Sequence, residues 1–368
     1  MFIYIIIALL VTLLAISYPR FDRDSKSLAY CLAFVVLFVF VGFRGANVDL
    51  DYRDVYIYFS NKVPDARYMF RDFPGFLNHL PPPELSFCVL VSLIKTFTLN
   101  VVPYVVFIYA FFSVMLKLKA LRQLTQDEVF GFAVLVWFSN LFFLQEMTQM
   151  RAGLAASIFL LAIPSILEQN LKRYVLLILL ATVIHRSAFI ALPLYFLGTR
   201  SINFKFWVIA VIAVFVMAKM RIDMLSIILD YNVPILHHKL VIYQKIQGWT
   251  KFEVNLFNVI IILQFLAACV LYWKREVVLP RCPHLYFLIK VCMISVMAYY
   301  FFVRIPVFAF RLSDFLGCVT IILYPMLYYV LKPKEMGQLL VVGIAWCTML
   351  LNLFHNNLMK PYYMCFFD

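Results

Sequence analysis

His185, Arg186 and Ser187 split an apolar run near its middle, and Arg151 opens a second one, MRAGLAASIFLLA. An ionisable side chain in apolar surroundings is costly to strand, so such groups are candidates for function. Histidine is the side-chain type that titrates near neutral pH, which suits His185 to general-base work. Arg151 stands where a turn becomes a helix. There, a guanidinium fork and helix N-terminal amides both attract phosphate oxygens, although an Arg at a span end can equally snorkel to the interface. The segment FFVRIPVFAFRLSDF adds Arg304 and Arg311, about two turns apart on one helical face, with Pro306 expected to kink the path. Asp314 is placed to pair with Arg311.

A further group lies in FRGANVDLDYRDVYIYF. Arg44 ends an apolar run, Asp49 and Asp51 flank Leu50, and Tyr52 and Tyr56 share a face if the segment is helical. Arg44 and Asp51 lie beside the membrane, where a charge needs a partner. Asp54, Asp65, Arg67, Arg71 and Asp72 read as an internally paired, solvated loop. Glu84 follows three prolines and begins an apolar helix, where capping and the helix dipole are a sufficient account of it. His237 and His238 are adjacent, so they would point about 100° apart on a helix, and no H-E-x-x-H pattern accompanies them. No metal or cofactor is assigned, and no P-loop, GxGxxG or GxSxG motif is present.

The elements that must position these groups follow from composition. The 368-residue chain is 65% hydrophobic and 14% charged, more apolar than a soluble core of this length requires. The expected fold is all-α: a single polytopic membrane domain over residues 1–368, with external loops at 44–83 and 219–253. About ten runs are candidate spans, at 2–17, 28–43, 101–116, 129–145, 152–168, 206–218, 254–273, 285–303, 315–331 and 338–354. The net charge of +13 reads as topogenic loops and sites for anionic lipid groups, with no nucleic acid involved. The 8 cysteines are scattered singly and read as small core residues.

Short basic turns should face the cytoplasm. Those around Arg20, Lys117/Lys119/Arg122, Lys172/Arg173, Arg200/Lys205, Lys274/Arg275 and Lys332/Lys334 then leave both termini and both long loops outside. Residues 84–99 become an interfacial or re-entrant helix. Residues 174–197, between two cytoplasmic turns, form either a re-entrant hairpin with His185 at its tip or one long tilted helix with His185 bonded inside the bundle. Each half of a hairpin would be about 16 Å long, reaching mid-bilayer.

FRGANVDLDYRDVYIYF, Glu84 leading an apolar helix, QMRAGLAASIFLLA, LATVIHRSAFIALPLYFL, RIPVFAFRLSDF and a closing KPYYM together resemble the Wzy-like, EpsG-type family of bacterial polysaccharide polymerases, in order over nearly the whole chain. Family members typically carry Gln after the Arg of the third motif; here it is Ala152. The resemblance implies an enzyme of the bacterial cytoplasmic membrane that joins polyprenyl-diphosphate-linked oligosaccharide repeats on its outer face, without metal or nucleotide sugar, alongside a separate chain-length regulator. On that footing Arg44, Arg151, Arg304 and Arg311 would hold the diphosphate. His185, or else Asp51, would be the base, with Tyr52, Glu84, Arg186 and Asp314 in support. The alternatives are a glycosyltransferase using a polyprenyl-monophosphate sugar, suggested by Asp49 and Asp51, and a lipid-linked oligosaccharide flippase.

Overall fold

The computed structural model describes residues 1–80, 84–222 and 254–365, and its regular elements are helices. His237, His238, most of the 219–253 loop and the three prolines before Glu84 lie outside those residues. Among the described residues, 7 helices are long and apolar enough to cross a membrane: Phe2–Arg20, Arg23–Gly42, Val101–Leu124, Asp127–Thr148, Met150–Leu167, Pro306–Tyr329 and Lys334–His355. The chain is therefore a multi-pass membrane protein. The other three expected spans form the helices Phe204–Lys219, Val259–Trp273 and Leu285–Phe301, of 16, 15 and 17 residues. At about 1.5 Å per residue these fall short of a hydrocarbon core roughly 30 Å thick. Leu85–Lys95, with 11 residues, is shorter still, as expected for the 84–99 stretch.

Contacts divide the chain into two compact units, one made of residues 1–195 with 324–368, the other of residues 196–323. In the first, Val101–Leu124 packs on Met150–Ala162, which packs in turn on Leu171–Ile184. The Met150–Ala162 helix is small on its packed face. Ser157 Oγ donates to the Gly153 carbonyl at 2.9 Å and lies 3.4 Å from Ser113 Oγ on the neighbouring helix. Small side chains let helix backbones approach where lipid supplies no hydrophobic drive between them. Residues Phe138–Thr148 continue the Asp127–Trp137 helix in the wider π form. Asn352 Nδ2 donates to the Asn140 carbonyl of that segment at 2.9 Å, so a polar side chain is satisfied deep in the bundle. The closing KPYYM segment lies on the first loop, where Lys360 N donates to the Val48 carbonyl and Gly45 N to the Tyr363 carbonyl.

The stretch 174–197 is a hairpin. Leu171–Ile184 ends at His185, whose backbone is extended (φ −147°, ψ 114°), and a tight 3-10 helix follows over Arg186–Leu197. Tyr174 Oη donates to the Ala191 carbonyl at 2.7 Å, and the Tyr174 and Tyr195 rings lie 5.3 Å apart. In one continuous helix residues 174 and 191 would be separated by about 25 Å. The chain therefore turns back at His185, which excludes the single long span.

Two sequence expectations fail here. Lys117 does not belong to a surface basic turn with Lys119 and Arg122. It lies within the Val101–Leu124 helix with no side-chain exposure, 3.3 Å from the Glu146 carboxylate. Nor does Pro306 kink a helix bearing both Arg304 and Arg311. It occupies the first turn of Pro306–Leu316, where a missing N–H is harmless and a fixed φ helps. Arg304 precedes that helix and donates to the Arg221 carbonyl at 3.0 Å, so the two arginines do not share a helical face. In this second unit Leu285–Phe301 packs against Phe204–Lys219, Val259–Trp273 and Pro306–Leu316. Lys290 donates to the Leu197 carbonyl at 2.6 Å.

Candidate functional site

Glu84, Arg151 and His185, far apart in sequence, meet in the first unit. Glu84 Oε1 accepts from His185 Nδ1 at 2.9 Å, and Arg151 Nη1 donates to Glu84 Oε2. Their side chains are 9%, 16% and 11% exposed for Glu, Arg and His, so the cluster is largely dry yet reachable. Each element presents its residue at an end: Glu84 just before Leu85–Lys95, Arg151 in the first turn of Met150–Ala162, and His185 at the hairpin bend. The expectation that Glu84 merely caps its helix is corrected, because its side chain makes no capping hydrogen bond and turns to Arg151 and His185 instead.

Burial alone would raise the Glu84 carboxyl, but the hydrogen bond from His185 and the charge of Arg151 outweigh it and lower the pKa to about 2. An ionised carboxylate only accepts, so Nδ1 of His185 carries the proton in this contact. In the neutral ring Nε2 then holds the lone pair. That is the geometry of a base whose tautomer is fixed by a carboxylate. A depressed native pKa stabilises the fold above the ordinary Glu value of about 4.3, and this contribution fades as pH falls towards the native value. The gap in thermal stability between wild type and Glu84→Gln in detergent is therefore expected to close between about pH 4.5 and pH 2. A gap that stays constant over that interval would rule out an ionised Glu84 bridge.

The turn that launches Arg151 is clamped from the first loop. Arg44 is 1% exposed; its Nε donates to Asp49 Oδ2 at 2.7 Å, Nη1 to the Val41 carbonyl at 2.9 Å and Nη2 to the Met147 carbonyl. Asp49 Oδ1 accepts from the backbone N–H groups of Asp51 and Tyr52. Arg44 is thus committed to the protein interior, a departure from its expected role of meeting a diphosphate. Tyr56 Oη donates to the Thr148 carbonyl at 2.5 Å and accepts from Met150 N at 3.2 Å. The guanidinium of Arg151 lies 6.0 Å from the Tyr56 ring and 5.5 Å from that of Phe87, within cation–π range. Gly153 lets the preceding π segment pass close by, since a Cβ there would clash with the Gln145 carbonyl oxygen.

Of the other expected site residues, Arg186 is exposed beside His185, Tyr52 is buried with its ring 5.7 Å from the Arg44 guanidinium, and Asp51 is partly buried. Arg304, Arg311 and Asp314 belong to the second unit, the two arginines exposed and Asp314 partly buried. Sequence reasoning missed Asp49 as the partner of Arg44 and missed the Lys117–Glu146 pair. Glu146 is a lone acid closing a long apolar run, a signal that it needs a buried partner. Lys117 was hidden because two exposed basic residues follow it closely. Among the described residues, no three His, Cys, Asp or Glu side chains gather as a metal site would need.

An all-helical multi-pass bundle with an ion cluster at its helix ends defines a class of membrane protein. Residues 27–367 match the model of the EpsG family, and the chain belongs to that family of membrane proteins, which is implicated in exopolysaccharide synthesis. No curated protein and no solved structure matches the chain.

Proposed function

We propose that this protein is a polysaccharide polymerase that transfers an oligosaccharide repeat from a polyprenyl diphosphate to the non-reducing-end hydroxyl of a second lipid-linked repeat. The observation that carries the reading is one carboxylate, Glu84, joined to both Arg151 and His185. His185 Nε2 takes the proton of the acceptor hydroxyl, and the Glu84 carboxylate steadies the resulting imidazolium. The acceptor oxygen bonds to the anomeric carbon as the bond from that carbon to the diphosphate oxygen breaks. Arg151, through its remaining N–H donors, and the neighbouring Arg186 stabilise the charge growing on the departing lipid diphosphate. The partly excluded water strengthens these contacts. The monophosphate-sugar alternative is weakened because Asp49 is spent on Arg44 and backbone amides, so Asp49 and Asp51 do not face a substrate as a pair.

The test is purified protein in vesicles with a lipid-diphosphate-linked repeat unit from its own cell, the products being resolved by length. Wild type is expected to give a ladder, and His185→Ala to lower its rate by about 10²- to 10⁴-fold, as for loss of a general base. Addition of a single sugar, or movement of the substrate across the membrane without consumption, would replace this reading with one of its rivals.

A further inference from the structure

An open groove of about 440 Å³ runs alongside the ion cluster, walled by Leu85, Leu90, Phe112, Leu154, Val183 and Ile184 among others. Its position follows from the chain. Leu85 follows Glu84, Ile184 precedes His185, and Leu154 lies one turn beyond Arg151. Each element that supplies a charged residue therefore also supplies a greasy wall. The hydroxyls of Ser86 and Tyr109 in its lining lie 3.4 Å apart, close enough to satisfy each other.

We infer that this groove holds the first isoprene units of the lipid diphosphate whose head group lies at Arg151. The inference rests on the polymerase reading and adds where the lipid binds. Sugar is a poor occupant, because each hydroxyl buried against these walls would go unpartnered at about 1–3 kcal/mol. A hydrocarbon chain meets no such penalty. The cation Arg151, one turn before Leu154 of the wall and within electrostatic reach of Tyr109 in the lining, complements the anionic end of such an amphiphile. If each non-hydrogen atom is allotted about 30 Å³, the share of one water in the liquid, the volume accommodates roughly fifteen such atoms, or about three five-carbon units. The rest of a long polyprenyl chain would run out into the bilayer.

The experiment places a photoreactive benzoylphenylalanine at Leu90, inside the groove, and separately at Leu176, which is 69% exposed and lies outside it. Each full-length variant is illuminated in vesicles containing a radiolabelled lipid-diphosphate-linked repeat. Labelling at Leu90 is expected to exceed that at Leu176 at least tenfold, to be displaced by unlabelled polyprenyl diphosphate lacking sugar, and to resist a matching excess of phospholipid. In the unlabelled protein, Leu154→Trp, which fills the groove, is expected to raise the KM of the lipid substrate about tenfold with little change in kcat. Equal labelling at the two positions, or displacement by phospholipid, would mean that bulk lipid fills the groove and would overturn the inference. Labelling needs no turnover and should survive His185→Ala. Specific labelling without any polymer from wild type would sink the polymerase reading while leaving the lipid site standing.

Discussion

Arg151→Ala is expected to lower polymer formation about 10²- to 10³-fold, the range seen when one preorganised donor to a developing oxyanion is removed. The loss has two sources. The departing diphosphate loses a cation at the moment its charge grows, and Glu84 keeps His185 but loses its second partner. A buried carboxylate stripped of a partner also destabilises the fold, so the single variant alone does not separate chemistry from folding. Arg151→Ala combined with Glu84→Gln removes the stranded charge. Thermal stability is expected to recover in this double variant while activity stays lost. Arg151→Lys keeps the charge without the planar fork and should fall between wild type and Ala. Wild-type turnover by well-folded Arg151→Ala would remove Arg151 from the mechanism.

The second large effect is expected at the buried pair Lys117–Glu146, whose side chains have no exposure and lie 3.3 Å apart. Ser113 Oγ donates to the same carboxylate, and Lys117 donates to Gln145 Oε1 at 3.1 Å, so the pair is embedded in a polar network. Removing one member leaves an uncompensated charge, which typically costs about 3–5 kcal/mol, whereas replacing both with neutral groups is often close to neutral. Lys117→Met should therefore strongly lower the unfolding temperature in detergent, and Lys117→Met with Glu146→Gln should restore most of it. Glu146 closes the π segment that leads into the Arg151 turn. Activity is accordingly expected to return with stability in the double variant, because Arg44 and Tyr56 still hold that turn. If the double variant is no more stable than Lys117→Met, the two side chains do not act as a pair.

The amino-acid sequence by itself determined the class of the fold. Apolar runs of near-spanning length identify membrane helices because backbone polar groups in lipid must be bonded within their own segment, so local composition is enough. Arg151 and His185 were legible for the same reason, as ionisable groups in apolar surroundings. Tertiary structure decided which charges meet. Arg44 looked like a substrate ligand until Asp49 and the Met147 carbonyl enclosed it, and Glu84 looked like a helix cap until Arg151 and His185 converged on it. Lys117 sat in what read as a basic surface turn until its helix was seen to carry it inward to Glu146. The reversal at His185 also had to wait for the fold, because hairpin and long span share one hydropathy pattern and differ only in whether Tyr174 reaches Ala191. Hydropathy is a property of each segment. The partner of a buried charge depends on how segments far apart in the chain pack, and no local spacing records that.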